Sequence, residues 1–198
     1  MFSGLIEACV PVTALEPVGT GARLVLPRPA PDWDVGHGDS VAVSGCCLTV
    51  AALEAGTMAF DLSAETLART WIGAEGAAAR RVNLERSVRL EDRLGGHLVS
   101  GHVDGGGTIT AIEDVGDGGR VFTFEVDEGL DRYLIEKGSV ALDGISLTVV
   151  EPRRRSFDVA VIPVTLQETS LGTAAVGQRV HVEADQIGKW VEKLLGAR

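Results

Sequence analysis

Short apolar and β-branched runs, each closed by Gly, Pro or Asp, divide most of this chain into pieces of strand length. In the first half they are Leu5 to Thr13, Ala22 to Leu26, Ser40 to Val43, Cys47 to Leu53, Met58 to Leu62 and Arg81 to Glu85. In the second half they are His102 to Ile112, Arg120 to Val126, Ser139 to Leu142, Ser146 to Glu151, Phe157 to Ile162 and Arg179 to Ala184. Strands this short at this spacing predict an all-β barrel or sandwich. Closing each set into a barrel removes the exposed strand edges. Glu65 to Thr70 reads as a single helical turn between strands. The C-terminal segment has a different period: Ile187, Trp190, Val191, Leu194 and Leu195 form the stripe of an amphipathic helix. Asp185 can cap its start and Gly196 can end it. On pattern alone, that stripe packs on its own barrel or on another copy of the chain.

The two halves are copies. Phe2-Ser3-Gly4-Leu5-Ile6-Glu7 returns as Val99-Ser100-Gly101-His102-Val103-Asp104. Ser40 to Val50, through Gly45-Cys46-Cys47-Leu48-Thr49, returns as Ser139 to Val149, through Gly144-Ile145-Ser146-Leu147-Thr148. Thr66-Leu67-Ala68-Arg69-Thr70 matches Thr165-Leu166-Gln167-Glu168-Thr169, and Arg81 to Glu85 matches Arg179 to Glu183. A repeat this long is a whole domain copied once, with one small core per copy. The expected division is 1–96, 97–185 and a terminal helix, 186–198. The copies differ where chemistry is at stake: Cys47 becomes Ser146, Leu5 becomes His102, and Ser87 aligns with Asp185.

Composition narrows the partners. The formal net charge is −10, from 18 Lys and Arg against 28 Asp and Glu, which argues against nucleic acid or an anionic membrane. The one basic run, Arg153-Arg154-Arg155, reads as a solvated hairpin turn between strands. Three cysteines, two of them adjacent, do not make a disulfide framework, and reduced thiols suit a cytosolic protein. The Cys and His spacing matches no metal site. The N-terminus lacks the pattern of a signal peptide, and no apolar run reaches the roughly 20 residues of a membrane helix. With aromatics at 5%, small β-branched side chains are expected to fill the cores.

Gly45-Cys46-Cys47-Leu48-Thr49-Val50, Gly95-Gly96-His97-Leu98-Val99-Ser100-Gly101-His102 and Asp143-Gly144-Ile145-Ser146-Leu147-Thr148-Val149 together resemble the α-chain riboflavin synthase family. So do the opening Met1 to Glu7 and the paired Thr-Leu-x-x-Thr motifs. The resemblance covers essentially the whole chain. It implies two six-stranded antiparallel Greek-key barrels and a C-terminal helix that drives homotrimer formation, which favours association for Ile187 to Leu195. It implies a cytoplasmic transferase acting at the last step of riboflavin biosynthesis. Two molecules of 6,7-dimethyl-8-ribityllumazine react by four-carbon transfer to give riboflavin and 5-amino-6-ribitylamino-pyrimidinedione. No metal, flavin or nicotinamide cofactor is implied. Association with a lumazine synthase capsid is a further partner that the resemblance raises.

The resemblance also assigns residues. His102 is the candidate proton shuttle, since the methyl on carbon 7 of the substrate is acidic and His is the usual base near neutral pH. Cys47 is a nucleophile or hydrogen-bond partner at one ring; without the resemblance it reads as a small buried hydrophobe. Ser146 with Asp185 is expected to orient a water or hydroxyl adding to carbon 7 of the acceptor, while Asp185 also caps the helix. His97 is a weaker candidate, and Ser40 a supporting one. By motif match, Gly4, Leu5, Ile6, Cys47, Leu48 and Thr49, with Asp61, Leu62, Ser63, Ala64, Glu65 and Thr66, line a first pocket. Gly101, His102, Val103, Lys137, Ser146, Leu147 and Thr148, with Ile162, Pro163, Val164, Thr165, Leu166 and Gln167, line a second.

Four departures from the family pattern stand out, one being Val164, which stands where a polar residue is common. Ser63-Ala64-Glu65-Thr66 lacks a common Pro, Trp71 replaces a frequent Asn, and Gly105-Gly106-Gly107 is expected to loosen a turn. Two rival readings differ from this one. A lumazine- or flavin-holding antenna protein shares the fold but tends to lose the reactive residues, all present here. A flavin-reductase-type barrel needs a nicotinamide domain, for which nothing after residue 185 has room.

Overall fold

The computed structural model describes residues 1–196. Ala197 and Arg198, the end of the expected 186–198 segment, lie outside the described residues.

The first sheet is built from β1 (Ala8–Pro11), β2 (Ala14–Val18), β3 (Gly21–Pro27), β4 (Ser40–Val43), β5 (Cys46–Glu54), β6 (Thr57–Leu62) and β7 (Arg81–Arg86). The second comprises β8 (Gly105–Asp114), β9 (Arg120–Val126), β10 (Ser139–Leu142), β11 (Ile145–Thr148), β12 (Val150–Arg153), β13 (Ser156–Val161) and β14 (Arg179–Ala184). Their orders are β1-β7-β4-β5-β6-β3-β2 and β11-β10-β14-β8-β9-β13-β12, and every pairing is antiparallel.

Seven segments per sheet and the expected six strands are reconciled by one bend in each. Val12 N–H donates to Arg80 O at 3.1 Å and Thr13 N–H to Val25 O at 3.0 Å, so β1 and β2 are halves of one strand that passes from β7 to β3. In the second copy β11 and β12 bend at Val149, whose N–H reaches Gly138 O while Lys137 N–H reaches its carbonyl, each at 2.9 Å. The equivalent bends in β5 and β8 are absorbed by bulges after Val50 and Ile109. A bulge bends and twists a strand enough to turn a barrel corner. Counted through the bends, each sheet curls into a six-stranded Greek-key ring.

Alternate residues of each strand point inward, giving two separate cores. Leu24, Leu26, Met58 and Phe60 fill the first; Phe122, Phe124 and Phe157 stack in the second at ring separations of 6.1 and 5.7 Å. The expectation that small β-branched side chains fill the cores is therefore corrected in part, because all five phenylalanines are fully buried. Gly105 to Gly107 also differ from expectation. They begin β8, and the Arg179 guanidinium lies where a side chain on Gly106 would stand, 2.0 Å from its Cβ position. Arg154 and Arg155 form the two-residue turn between β12 and β13, and Arg153 pairs with Asp158 at 2.7 Å, so the basic run is a hairpin held by carboxylates.

The barrels meet across a pseudo-symmetric junction. Phe2 and Val99 form an antiparallel bridge and cluster with Ala42 and Ala141. Gly45 and Gly144, at φ +79° and +81°, approach so closely that a Cβ on either lies within 2.7 Å of the other's backbone nitrogen. Trp71, which departs from the family pattern, donates its indole N–H to the buried Asp143 at 2.7 Å and stacks on His181. His181 Nε2 accepts Trp71 N–H at 2.9 Å, which leaves its proton on Nδ1, directed to Ser44 O at 2.7 Å. Burial pushes the His181 imidazole well below its ordinary range, with Asp143 opposing.

Three short or terminal helices complete the chain: α1 (Ala64–Arg69), α2 (Pro163–Glu168) and α3 (Gln186–Leu195). Asp185 Oδ1 accepts Ile187 N–H at 2.9 Å, and Gly196 ends α3 in the left-handed conformation. The polar side of α3 docks on the second barrel through Lys189 to Asp104 at 2.6 Å and Arg132 to Glu192 at 3.1 Å. Its apolar stripe faces outward, with Ile187, Trp190 and Leu194 at 65%, 63% and 81% exposure. The stripe does not pack on its own barrel.

Candidate active site

Period-two alternation sets the reactive positions. On β5, Leu48 belongs to the first core, while Cys47 is half-buried on the outer face and Thr49 is exposed there. On β11, Ser146 is half-buried, Thr148 is exposed, and Leu147 packs on the second core. Leu62 is likewise a core residue at 3% exposure. The side chains of Leu48, Leu62 and Leu147 thus serve packing. Cys46 points inward beside Cys47, and burial pushes its thiol up to about 12. Cys47 is the accessible member of the pair.

The grouping of residues differs from the one the motifs suggested. The Ser-Gly segments cross the junction. Gly4 O accepts Ser146 N–H at 2.8 Å, and Ile6 packs against the second core. Gly101 O accepts Cys47 N–H at 2.7 Å, and Val103 packs against the first core. The strand sites are therefore Cys47 and Thr49 with Gly101, His102 and Val103 on the first barrel, and Ser146 and Thr148 with Gly4, Leu5 and Ile6 on the second. Gly4 and Gly101, at φ +79° and +82°, allow this: a Cβ on either would stand 2.6 Å from the facing Cβ of Ser146 or Cys47.

Within the chain, the side chain that meets Ser146 is His97. His97 Nδ1 lies 2.7 Å from Ser146 Oγ, whereas Asp185 is engaged as the α3 cap. His97 is 8% exposed, and its Nε2 has no hydrogen-bond partner among the described residues. Burial holds its imidazole below the ordinary range, opposed by the charges of Asp185 and Glu183. That direction favours the uncharged ring, and the 2.7 Å separation lets its Nδ1 share a hydrogen bond with the Ser146 hydroxyl. His102 is exposed, and its backbone N–H donates to Ser100 Oγ at 3.2 Å.

The remaining expected residues rim these faces. Ser63 Oγ caps α1 by accepting Thr66 N–H at 3.1 Å, with Ala64 and Glu65 exposed. Asp61 is held by Arg23 in a forked pair at 2.9 and 3.1 Å. In the second copy Pro163 opens α2, Ile162, Val164 and Gln167 are exposed, Thr165 is half-buried, and Leu166 packs on the core. Lys137 is exposed beside Glu136, next to the Val149 bend. Ser40 pairs with Thr49 across the strands, and its carbonyl accepts the Ser87 hydroxyl at 3.0 Å.

The lumazine binding domain family matches the chain twice, over residues 3–87 and 100–185. Riboflavin synthase of Mycobacterium tuberculosis (strain H37Rv) is 45% identical, covering 98% of each chain. That of Actinobacillus pleuropneumoniae is 40% identical over 98% of this chain and 90% of its own. The chain belongs to the riboflavin synthase family. In fold it also resembles solved structures of LumP complexed with riboflavin and with 6,7-dimethyl-8-(1'-D-ribityl) lumazine. These have TM-scores of 0.84 and 0.82 at 22% and 21% identity, covering 93% of this chain and 99% of those chains.

Two cavities of the single chain lie beside the strand sites; the first takes in Leu5 of the second site, and neither takes in Cys47, His102 or Ser146. One of about 650 Å³ lies beside the connector and is lined by Ser3, Leu5, Ser40, Arg86 and Arg89. Another of about 560 Å³ lies between the barrels around Trp71, Arg80 and Arg179. Cys47, His102 and Ser146 lie instead on open faces. Among the described residues, no helix is long and apolar enough to cross a membrane, and no cluster of His, Cys, Asp or Glu is arranged to hold a metal ion.

Glu85 and Glu183 were missed from the sequence. Both are buried at 3% exposure, on β7 and β14, and their carboxylates bind the crossing Ser-Gly segments. The available signal was their shared place at the end of the matching Arg81 to Glu85 and Arg179 to Glu183 runs.

Proposed function

We propose that this protein is a riboflavin synthase and a transferase. It dismutes two molecules of 6,7-dimethyl-8-ribityllumazine, passing a four-carbon unit from one to the other with no atom lost. The products are riboflavin and 5-amino-6-ribitylamino-pyrimidinedione. The observation that carries the reading is a duplicated lumazine-binding domain whose two outer faces bear different reactive sets. A reaction between two identical molecules needs two related sites with unlike roles, and holding both in register supplies much of the rate. In the second site His97 exchanges a proton with Ser146, whose hydroxyl is presented to carbon 7 of one substrate. In the first site His102 shuttles the proton of the acidic methyl, and Cys47 contacts the ring.

The functional division is 1–96 and 97–185, each unit lending its Ser-Gly segment to the other's site. Open sites and an outward apolar stripe on α3 support a homotrimer in which the first barrel of one subunit faces the second barrel of another. Free thiols at Cys9, Cys46 and Cys47 support a cytoplasmic setting. The test mixes purified protein with 6,7-dimethyl-8-ribityllumazine and excess chelator and follows both compounds optically. One riboflavin formed per two substrates consumed is expected. Tight binding with no riboflavin overturns the reading and leaves a lumazine-holding protein. Deleting 186–198 is expected to give a monomer that binds substrate and turns over little, and a fully active monomer overturns the inter-subunit site.

A further inference from the structure

Two buried carboxylates have no part in the chemistry proposed above, and neither is paired with Lys or Arg among the described residues. Glu85 Oε1 accepts both the N–H and the hydroxyl of Ser3, at 2.6 and 2.8 Å, and Oε2 accepts Gly4 N–H at 2.9 Å. Glu183 repeats the pattern with Ser100, at 2.6 and 2.7 Å, and with Gly101 at 2.9 Å. Three donors per carboxylate are needed to offset the removal of its charge from water. The pattern demands an acceptor-only group with two oxygens; an amide in its place turns a donor toward one of the N–H groups.

What each carboxylate holds continues onto the opposite barrel. Glu85 lies on β7 of the first barrel, paired through Ala42 to Cys47. The dipeptide it grips passes to the second barrel, where Gly4 O accepts Ser146 N–H and Ser3 O accepts His97 N–H at 3.1 Å. Glu183 lies on β14 of the second barrel. Its dipeptide passes to the first, where Gly101 O accepts Cys47 N–H and Ser100 Oγ accepts His102 N–H. Each reactive pair is thus tied through a Ser-Gly unit to a carboxylate of the other barrel.

We propose that Glu85 and Glu183 are positioning residues that act across the junction. Glu183 of the second barrel sets Cys47 and His102 on the first. Glu85 of the first barrel sets Ser146 and His97 on the second. The role in turnover rests on the function proposed above; the crossed geometry stands apart from it. A defect in either barrel is thereby felt at the other barrel's site.

The test uses the full-length protein and the variants Glu183→Gln and Glu85→Gln. Iodoacetamide labelling of Cys47, followed by peptide mass spectrometry, reads the first site. The imidazole NMR resonances of His97 read the second. Glu183→Gln is expected to change the Cys47 labelling rate and leave His97 unmoved, and Glu85→Gln to do the reverse. For turnover, kcat is expected to fall by up to about 10²-fold in both, the cost of roughly 1 Å of misplacement, with KM changing far less. If either variant fails to fold, Ser3→Ala removes one of the three donors to Glu85, and Ser100→Ala removes one donor to Glu183 together with the acceptor of His102 N–H; both are expected to give the same crossed pattern with smaller amplitude. Effects confined to the substituted barrel's own site, equal effects at both sites, or no effect at either would overturn the proposal. A wild-type protein that makes no riboflavin yet keeps the crossed pattern would overturn the function and leave the positioning intact.

Discussion

Gly101→Ala tests the crossing directly, because two separable penalties meet there. Gly101 has φ +82°, so an alanine pays the left-handed backbone cost of about 1–2 kcal/mol. Its Cβ would stand 2.6 Å from Cys47 Cβ, 2.9 Å from Phe2 Cε2 and 3.0 Å from Cys47 N. Neither Phe2, which is fully buried, nor the β5 backbone has room to retreat. Overpacking of this kind adds about 1–3 kcal/mol. Gly56 provides the control: it has φ +83° and nothing within 4 Å of its Cβ position, so Gly56→Ala carries the backbone cost alone. Urea titration of both variants at matched unfolding slopes reads the difference. Gly101→Ala is expected to lose about 1–3 kcal/mol more than Gly56→Ala, together with most of its turnover, since the contact displaces Cys47 and His102. Equal midpoints for the two variants would refute the close approach, and with it the regrouping of residues across the barrels.

Asp185→Ala is expected to destabilise α3 by about 1 kcal/mol through loss of its cap and to lower the His97 titration midpoint, because the Asp185 charge opposes its depression. Asp185→Asn keeps the cap and is expected to change only the midpoint, read by NMR. Stability toward urea is expected to fall as pH drops below about 6.5: His97 and His181 are both depressed in the fold, so acid favours the unfolded chain until their folded values are passed. Glu85, whose carboxyl is raised chiefly by burial, works in the opposite direction as pH falls through its folded value toward the ordinary carboxylate range. A flat urea midpoint between pH 8 and 5 would remove the histidine contribution. Trp190→Asp places a charge on the outward stripe of α3 and is expected to shift the sedimentation coefficient toward the monomer, with the urea midpoint of the barrels unchanged.

Much of the fold was legible because strand and helix periods are local properties. Ser40–Val43, Arg120–Val126, Ser139–Leu142, Arg179–Ala184 and Gln186–Leu195 fall where the pattern put them. Ala14–Val18 was missed because Glu16 and Pro17 interrupt the apolar run. The strand tolerates Pro17 since it pairs only with β3 and leaves one edge undemanding. The first strand was expected from Leu5 and begins at Ala8. Gly105 to Gly107 look like a loose turn by composition, and only the Arg179 guanidinium laid over Gly106 explains why a strand starts on three glycines.

The site was legible as a set of residues and illegible as a partition. Ile6 and Val103 are apolar, as core residues should be, but alternation cannot state which core. Each lies a few residues from a junction where the chain leaves one barrel for the other, and each packs on the barrel it was not assigned to. The same limit hid the pairing of Ser146 with His97, separated by 49 positions and joined only because Gly96 has no side chain: a Cβ there would be 2.1 Å from Ser3 O and 3.0 Å from Ser146 Oγ. Duplication explains why the exchange is possible. Two copies with the same Ser-Gly segment and the same receiving strand offer two equivalent ways to pair, within a barrel or between barrels. The crossed choice ties the two reactive faces into one mechanical unit, which suits a reaction whose two halves are performed on two molecules of the same compound.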